Sequence, residues 1–317
     1  MLSTPSPLPS AAPRPGSPMA AIASLALASF ASQALVRTAD TLLPQIAADF
    51  AVTVGMASIV ITAYALTHGS MQFVTGPIAD RFGKYRTVAL ACALSAVTVA
   101  ACGLASTLDG LTLARFFSGL TVAWILPISL AYIGDVVPYE QRQQVLGRFL
   151  AGQVLGQLFG QAAGGVIGDY FGWRTTFFAL AAMLAVAAAA LTYQLMTNPV
   201  TRAAPEAQER RGLIESYKIV LCNPWARIML IAVGIEGTFF QGVFSYIGAD
   251  LHLRFGLSFT AVGIIIGIFA LGGLAYAAVV KPLMRRLGQT GIARGGGICR
   301  CPAFGQDALL MAQKVAS

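Results

Sequence analysis

Long apolar runs alternate with short polar connections along the chain. A hydrocarbon core about 30 Å thick requires about 20 apolar residues per helix, and runs of at least that length recur. They predict eight membrane-spanning helices, at residues 20–43, 54–77, 87–107, 111–133, 146–168, 175–196, 227–248 and 259–280. The runs are too long and too continuous for barrel strands, so the predicted fold class is an all-α membrane protein, a helical bundle.

Composition supports a membrane protein and excludes several other classes. Hydrophobic residues make up 56% of the 317 residues and charged residues 11%, whereas a soluble domain usually carries about 25% charged residues. This composition also excludes a disordered protein and a secreted disulfide scaffold. Residues 1–18 differ from the rest, because they contain six prolines and few large apolar side chains. They are expected to form a disordered cytoplasmic arm.

The distribution of charge predicts the orientation. Nearly all basic residues lie on alternate connections, while the opposite connections carry Arg174, Arg254 and several aspartates. By the positive-inside rule, the basic connections and the N-terminus are cytoplasmic. The expected location is the cell inner (plasma) membrane, with the lipid bilayer as partner. This placement accounts for the net charge of +8 without a nucleic-acid partner.

The connection after the second predicted span has a distinctive motif. It contains Gly76, Asp80, Arg81, Gly83, Lys84 and Arg86 within eleven residues. This loop resembles the signature G-x-x-x-D-R-x-G-R-[RK] of the major facilitator superfamily, with Lys84 in place of the usual Arg. The resemblance implies that Asp80 faces a helix N-terminus of the opposite half, where the macrodipole favours an anion. The bases would pair with neighbouring carboxylates, and together they would latch the cytoplasmic side. The alternative is a basic loop that only sets orientation.

Two further segments resemble motifs of the same family. Leu111, Arg115, Ser118 and Gly119 resemble its fourth-span motif, with Ser118 where Gln is common. The fifth span resembles the antiporter motif G-x8-G-x3-G-P-x2-G-G, with Gln161 in place of Pro. Its glycines are Gly147, Gly156, Gly160, Gly164 and Gly165. Glycines every four residues give a flat helix face for close packing. The resemblance is closest to bacterial drug:proton antiporters and sugar-efflux-like members.

The family resemblance implies two halves of six spans. The polar stretch 197–226 is interpreted as a cytoplasmic central loop between a six-helix N-terminal half, 19–196, and two spans of a C-terminal half, 227–290. A gapless offset of 205 residues relates the parts. The matched pairs are Phe50 with Phe255, Thr53 with Ser258, Pro77 with Pro282, Arg81 with Arg286 and Gly83 with Gly288. Such matches are expected of a duplicated transporter half.

Ionisable groups within spans are the candidates for proton coupling or substrate binding, because each is costly in lipid unless paired or hydrated. These candidates are Arg37, Asp40, Arg115, Glu236 and His68. Arg37 and Asp40 lie three residues apart, on one helix face, where they can pair. Asp40 is interpreted either as the carrier of a coupling proton or as half of a static pair. For His68, the alternative is a satisfied core group.

Polar and aromatic side chains within the spans are candidates to line a central cavity. They are Tyr64, Gln72, Trp124, Gln157, Gln161 and Gln241. The alternative is interhelical hydrogen bonding, worth roughly 0.6–2 kcal/mol per contact.

The functional expectation is a secondary transporter, most simply a proton-coupled exporter of small organic compounds by alternating access. No nucleotide loop, metal cluster or nucleophile–base pair is apparent in the sequence, so neither an enzyme nor a cofactor is predicted. Residues 291–317 are an atypical tail, because no ninth apolar run follows Gly288. A frameshift or truncated reading frame near 295–300 would explain this and leave a non-transporting remnant. A genuine eight-span protein is the alternative.

Overall fold

The structure is a computed structural model that describes residues 17–75, 79, 82–202, 218, 221–258, 260–265 and 268. At 233, 236, 239–245 and 249 it describes the backbone only. The described residues form helices joined by short turns, with no strand among them. In chain order the helices are α1 Pro18–Asp49, α2 Val54–Ala57, α3 Ile59–Met71, α4 Lys84–Leu104, α5 Leu108–Val122, α6 Ile125–Val136, α7 Tyr139–Thr197, a 3-10 turn Pro199–Arg202, and α8 Pro224–Phe255. The predicted all-α fold class is confirmed.

Five of the described segments are long and apolar enough to cross a membrane. They are Pro18–Asp49, Val54–Met71, Lys84–Leu104, Leu108–Val136 and Tyr139–Thr197. Two of them contain a break that the apolar pattern did not predict. Ser58 separates α2 from α3, and Ala123 with Trp124 separates α5 from α6.

The predicted fifth and sixth spans both lie in α7. Its 59 residues would extend about 88 Å as one straight helix, far more than the ~30 Å hydrocarbon core. Gly172 interrupts it with non-helical angles, φ 82° and ψ 161°. A residue with a side chain rarely adopts this positive φ. The glycine therefore allows the backbone to turn between the two spans here. The predicted eighth span is described at 260–265 and 268, which are helical, and the remainder of 259–280 lies outside the described residues.

One apolar core joins the helices of the first six spans. It includes Leu25 and Leu43 of α1, Val99 of α4, Ile128 of α6 and Phe177 of α7, all less than 2% exposed. Because α1 contacts α7 along its length and α4 also packs on α7, the N-terminal half encloses its own core.

Glycines of α7 allow α1 to approach unusually closely. Gly156, Gly160, Gly164 and Gly168 lie opposite four α1 residues that are also spaced by four. These partners are Phe30, Ala34, Thr38 and Leu42. A Cβ added at any of the four glycines would lie less than 3.0 Å from an atom of its partner. The two helices are therefore parallel and in register, one turn per glycine. The flat face predicted from Gly156, Gly160 and Gly164 is present, and Gly168 extends it.

The start of the eighth predicted span repeats the start of the second. The Thr53 hydroxyl caps α2 by accepting a hydrogen bond from the Met56 backbone N–H at 3.2 Å. The Ser258 hydroxyl accepts one from the Ala261 backbone N–H, also at 3.2 Å. Both the caps and their donors are 205 residues apart, the offset expected from the sequence.

Candidate functional site

A buried ion pair lies on α1. Arg37 and Asp40 are 5% and 2% exposed, and the Arg37 guanidinium donates to the Asp40 carboxylate at 3.0 Å. Their three-residue spacing places both on one face of the helix. Removing one member of a buried ion pair leaves the other charge uncompensated, so substitution of either residue alone destabilises the fold.

A second cation, Arg115 of α5, lies in the same half and is fully buried. Its Nε donates to the Val60 carbonyl at 3.4 Å, and its guanidinium stands 4.1 Å from the centre of the Tyr64 ring. This cation–π contact partly replaces the lost hydration of the charge. One terminal nitrogen, Nη1, has no hydrogen-bond partner among the described residues. A buried guanidinium with a free donor is therefore available to another acceptor.

Asp40 is the carboxylate associated with both basic residues. It is bonded to Arg37, and Arg115 exerts a weaker electrostatic effect on it. Since these three side chains carry two positive charges and one negative, they hold one positive charge in excess while Asp40 is ionised. Protonation of Asp40 would raise that excess to two. The cluster therefore has two charge states that differ by one proton.

The aromatic side of this cluster includes His68. Its ring stacks on Tyr64 with the ring centres 5.4 Å apart, so Tyr64 contacts both His68, also of α3, and Arg115 of α5. The His68 Nδ1 and the Tyr64 hydroxyl are buried and have no hydrogen-bond partner among the described residues. His68 therefore lies beside the charge cluster.

The other candidate residues are dispersed. Gln161 is buried, with its Oε1 unpartnered among the described residues, and Gln157 is half-buried one turn earlier on α7. Trp124 is half-buried at the α5–α6 junction, whereas Gln72 is exposed. Glu236 and Gln241 lie in α8, but their side chains are outside the described part of the chain.

The signature loop is described in part. Gly83 has φ 90°, a conformation that favours glycine. Lys84 Nζ donates to the Asp135 carboxylate at 2.5 Å, which is the pairing of a loop base with a neighbouring carboxylate that the resemblance implied. Arg86 is exposed. Gly76, Asp80 and Arg81 lie outside the described residues, and with them the predicted latch.

Of the fifth-span glycines, Gly147 differs from the others. It is exposed, and a Cβ there would meet nothing within 4 Å. Gly165 is buried.

One polar cluster was not anticipated from the sequence. The Asp49 carboxylate at the end of α1 accepts hydrogen bonds from Arg174 at 2.5 Å and from the Trp173 indole N–H at 3.2 Å. Arg174 also donates to the Ala105 carbonyl at 3.2 Å. The sequence contains the Phe-Gly-Trp-Arg segment, but nothing in it indicates which carboxylate lies opposite. This cluster ties α1, α4 and α7 together at one end of the bundle, which we call the Asp49 end.

Comparisons with known proteins agree on one family. The family model of the Major Facilitator Superfamily matches residues 25–304. The uncharacterized MFS-type transporter YceJ of Bacillus subtilis is 26% identical over 251 residues, which cover 78% of this chain and 62% of that protein. The multidrug export protein EmrB of Haemophilus influenzae is 29% identical over 154 residues, covering 49% of this chain and 30% of EmrB.

A solved structure shows the same fold. It is a bacterial homologue of the human lysosomal transporter Spinster in an inward-facing, occupied conformation. The TM-score is 0.68 at 18% identity, over 85% of this chain and 62% of that one. The chain thus spans a little under two thirds of the length of YceJ and of the Spinster homologue, and the match to EmrB covers under a third of that protein.

Five described helical segments that could cross a membrane are consistent with a multi-pass membrane protein. The family match extends over most of the chain, and the chain belongs to the Major Facilitator Superfamily.

Proposed function

We propose that this transporter exports small organic compounds in exchange for protons, by alternating access. The observation that carries the proposal is the cluster of Arg37, Asp40 and Arg115. Its single carboxylate is buried and bonded to Arg37, and it interacts electrostatically with Arg115, so gain or loss of one proton changes the charge of a water-poor site. The similarity to the multidrug export protein EmrB supports export as the direction and small organic compounds as the substrate class.

In this mechanism Asp40 carries the coupling proton. When it is ionised, its bond to Arg37 holds the cluster together. When it is protonated, two guanidinium groups remain without a compensating charge, which is unfavourable in a medium of low dielectric constant. The two charge states therefore favour different conformations, and a proton gradient biases the cycle between them.

Other residues have supporting roles in the proposal. His68 and Tyr64 hold the Arg115 guanidinium from its aromatic side, and Gln157, Gln161 and Trp124 border the substrate path with Glu236 and Gln241 of α8. Asp80 and the bases of its loop latch the cytoplasmic side. The N-terminus and the 197–226 connection are cytoplasmic, and the membrane is the inner (plasma) membrane. Residues 19–196 are assigned to the N-terminal half, and 227–290 to part of the C-terminal half.

The test uses everted membrane vesicles with a respiration-driven proton gradient. Release of protons on adding ethidium, tetraphenylphosphonium or chloramphenicol is followed with a pH-sensitive dye. The wild-type protein is expected to exchange protons for at least one of these compounds. Asp40→Asn is expected to abolish gradient-driven transport but keep exchange of labelled for unlabelled compound, since exchange moves no net proton. Arg115→Gln should weaken driven transport.

The matched control is Asp109→Asn, which changes an exposed aspartate in the first turn of α5 and should leave transport unchanged. Driven transport by Asp40→Asn at the wild-type rate would exclude Asp40 as the proton carrier. A wild-type protein that moves none of the three compounds would overturn the proposed export of this class.

A further inference from the structure

A carboxylate of α7 binds the beginning of the helical segment at 260–265. Asp169 Oδ2 accepts a hydrogen bond from the Thr260 backbone N–H at 2.6 Å and another from the Thr260 hydroxyl at 2.5 Å. Asp169 belongs to the N-terminal half, and Thr260 follows the central connection by more than thirty residues. This contact therefore joins the two parts that the 205-residue offset relates.

The position of Thr260 makes its N–H a strong donor. The Ser258 carbonyl accepts a hydrogen bond from the Val262 N–H at 3.0 Å, and the Ser258 hydroxyl accepts one from the Ala261 N–H, so Ser258 caps the N-terminal end of the helical segment at 260–265. The first N–H groups of a helix have no partner within it, and the positive end of the helix favours an anion. Ser258 satisfies one of these donors, and Asp169 satisfies another from across the interface.

A second contact brings the same two segments together. A Cβ added at Gly263 would lie 2.6 Å from the Gln161 carbonyl oxygen and 3.4 Å from Ala162 Cα. The backbones therefore touch about one turn beyond Thr260. Gly160 and Gly164 pack α7 against α1, so this stretch of α7 is held between α1 and the 260–265 segment.

The Asp169 contact lies where water can reach it. Asp169 and Thr260 are bonded to each other at an exposed site, a few residues from the Asp49 end cluster in sequence. An exposed charged hydrogen bond can be exchanged for water at modest cost, whereas a buried one cannot. The bond is thus strong enough to bias the closure of this end and weak enough to be released.

We propose that Asp169 is a latch between the halves, which holds the Asp49 end of the transporter closed and is released each time this end opens. The proposal rests on the alternating access proposed above. It assigns to Asp169 the role of positioning the 260–265 segment against α7. In the closed state both the carboxylate contact and the Gly263 approach are made, and in the open state both are lost.

The experiment measures the opening directly. Spin labels are attached at Leu104→Cys and Phe255→Cys, which replace residues 74% and 68% exposed at the ends of α4 and α8, in the 317-residue chain without its native cysteines. Distance distributions are recorded by double electron–electron resonance in liposomes, with neither substrate nor gradient. We expect Asp169→Ala to lower the closed-to-open ratio about tenfold, which corresponds to about 1.4 kcal/mol.

Two milder variants keep the test valid if Asp169→Ala folds poorly. Thr260→Ala removes the hydroxyl bond and keeps the N–H bond, and Asp169→Asn keeps an acceptor without the charge, so each should shift the ratio by a smaller factor. Asp109→Ala, an exposed aspartate at the Asp49 end, is the matched control and should not shift it.

A distribution for Asp169→Ala that coincides with that of Asp109→Ala, together with unshifted milder variants, would overturn the latch. Because no transport is measured, this result is distinct from failure of the export proposal. Conversely, driven transport by Asp40→Asn at the wild-type rate, together with a lowered closed-to-open ratio in Asp169→Ala, would exclude Asp40 as the proton carrier and leave the latch supported.

Discussion

The sharpest consequence of the structure concerns Gly160, where α1 and α7 approach most closely. A Cβ at this position would lie 2.5 Å from Ala34 Cα and 2.6 Å from its carbonyl carbon. Both atoms are backbone, so no side chain can rotate away. The Thr38 hydroxyl also donates to the Gly160 carbonyl at 3.2 Å, and separation of the helices would stretch this bond. Gly160→Ala should therefore force the two helices apart.

The magnitude follows from two opposing effects. Overpacking a well-packed site costs roughly 1–3 kcal/mol. The rigid backbone opposite Gly160 places the cost of Gly160→Ala at about 3 kcal/mol. Alanine improves helix propensity over glycine by about 1 kcal/mol, which leaves a net loss of roughly 2 kcal/mol. For a domain of 150–250 residues this corresponds to a fall in melting temperature of about 4–8 °C, at about 2–4 °C per kcal/mol.

The matched control is Gly147→Ala in the same helix, where an added Cβ meets nothing within 4 Å. Only the propensity gain of about 1 kcal/mol applies there, so the melting temperature should rise by about 2–4 °C. The assay is thermal unfolding of the purified variants in detergent, followed by tryptophan fluorescence. If Gly160→Ala melts at or above Gly147→Ala, the close backbone packing of α1 on α7 is not what stabilises this half.

Two further predictions concern charge and topology. In a double-mutant cycle with Lys84→Ala and Asp135→Ala, the coupling free energy of unfolding should be about 0.2–1 kcal/mol, since the ion pair is only partly buried. This coupling should decrease in ~1 M salt, which screens the two charges. A coupling of zero at low salt would show that the 2.5 Å contact contributes nothing to stability. Cys222 is exposed, whereas Cys92 and Cys102 are buried. With Cys299 and Cys301 replaced by Ser, a membrane-impermeant maleimide should label only Cys222 in inside-out vesicles and no thiol in intact cells. Labelling in intact cells would contradict a cytoplasmic central connection.

Several features could be predicted from the sequence because they depend on local chemistry. Apolar runs long enough to cross a bilayer predict helices in any fold, since lipid offers the backbone no other partner. The Arg37–Asp40 bond follows from a three-residue spacing on one helix. The glycines spaced by four in α7 predict a flat face, and the 205-residue offset predicts that Thr53 and Ser258 begin equivalent helices.

The tertiary structure decided which distant residues meet. Sequence periodicity shows that Gly160 faces a neighbour, but only the fold identifies Ala34 of α1 as that neighbour. Arg115 was recognised as a buried charge, yet its contacts with Tyr64 and Val60, and its electrostatic interaction with Asp40, come from helices far apart in the chain. Asp169 and Thr260 are 91 residues apart, and neither has a sequence signal for the other. Local spacing determines which face of a helix a residue occupies, whereas the packing of all helices together determines what that face meets.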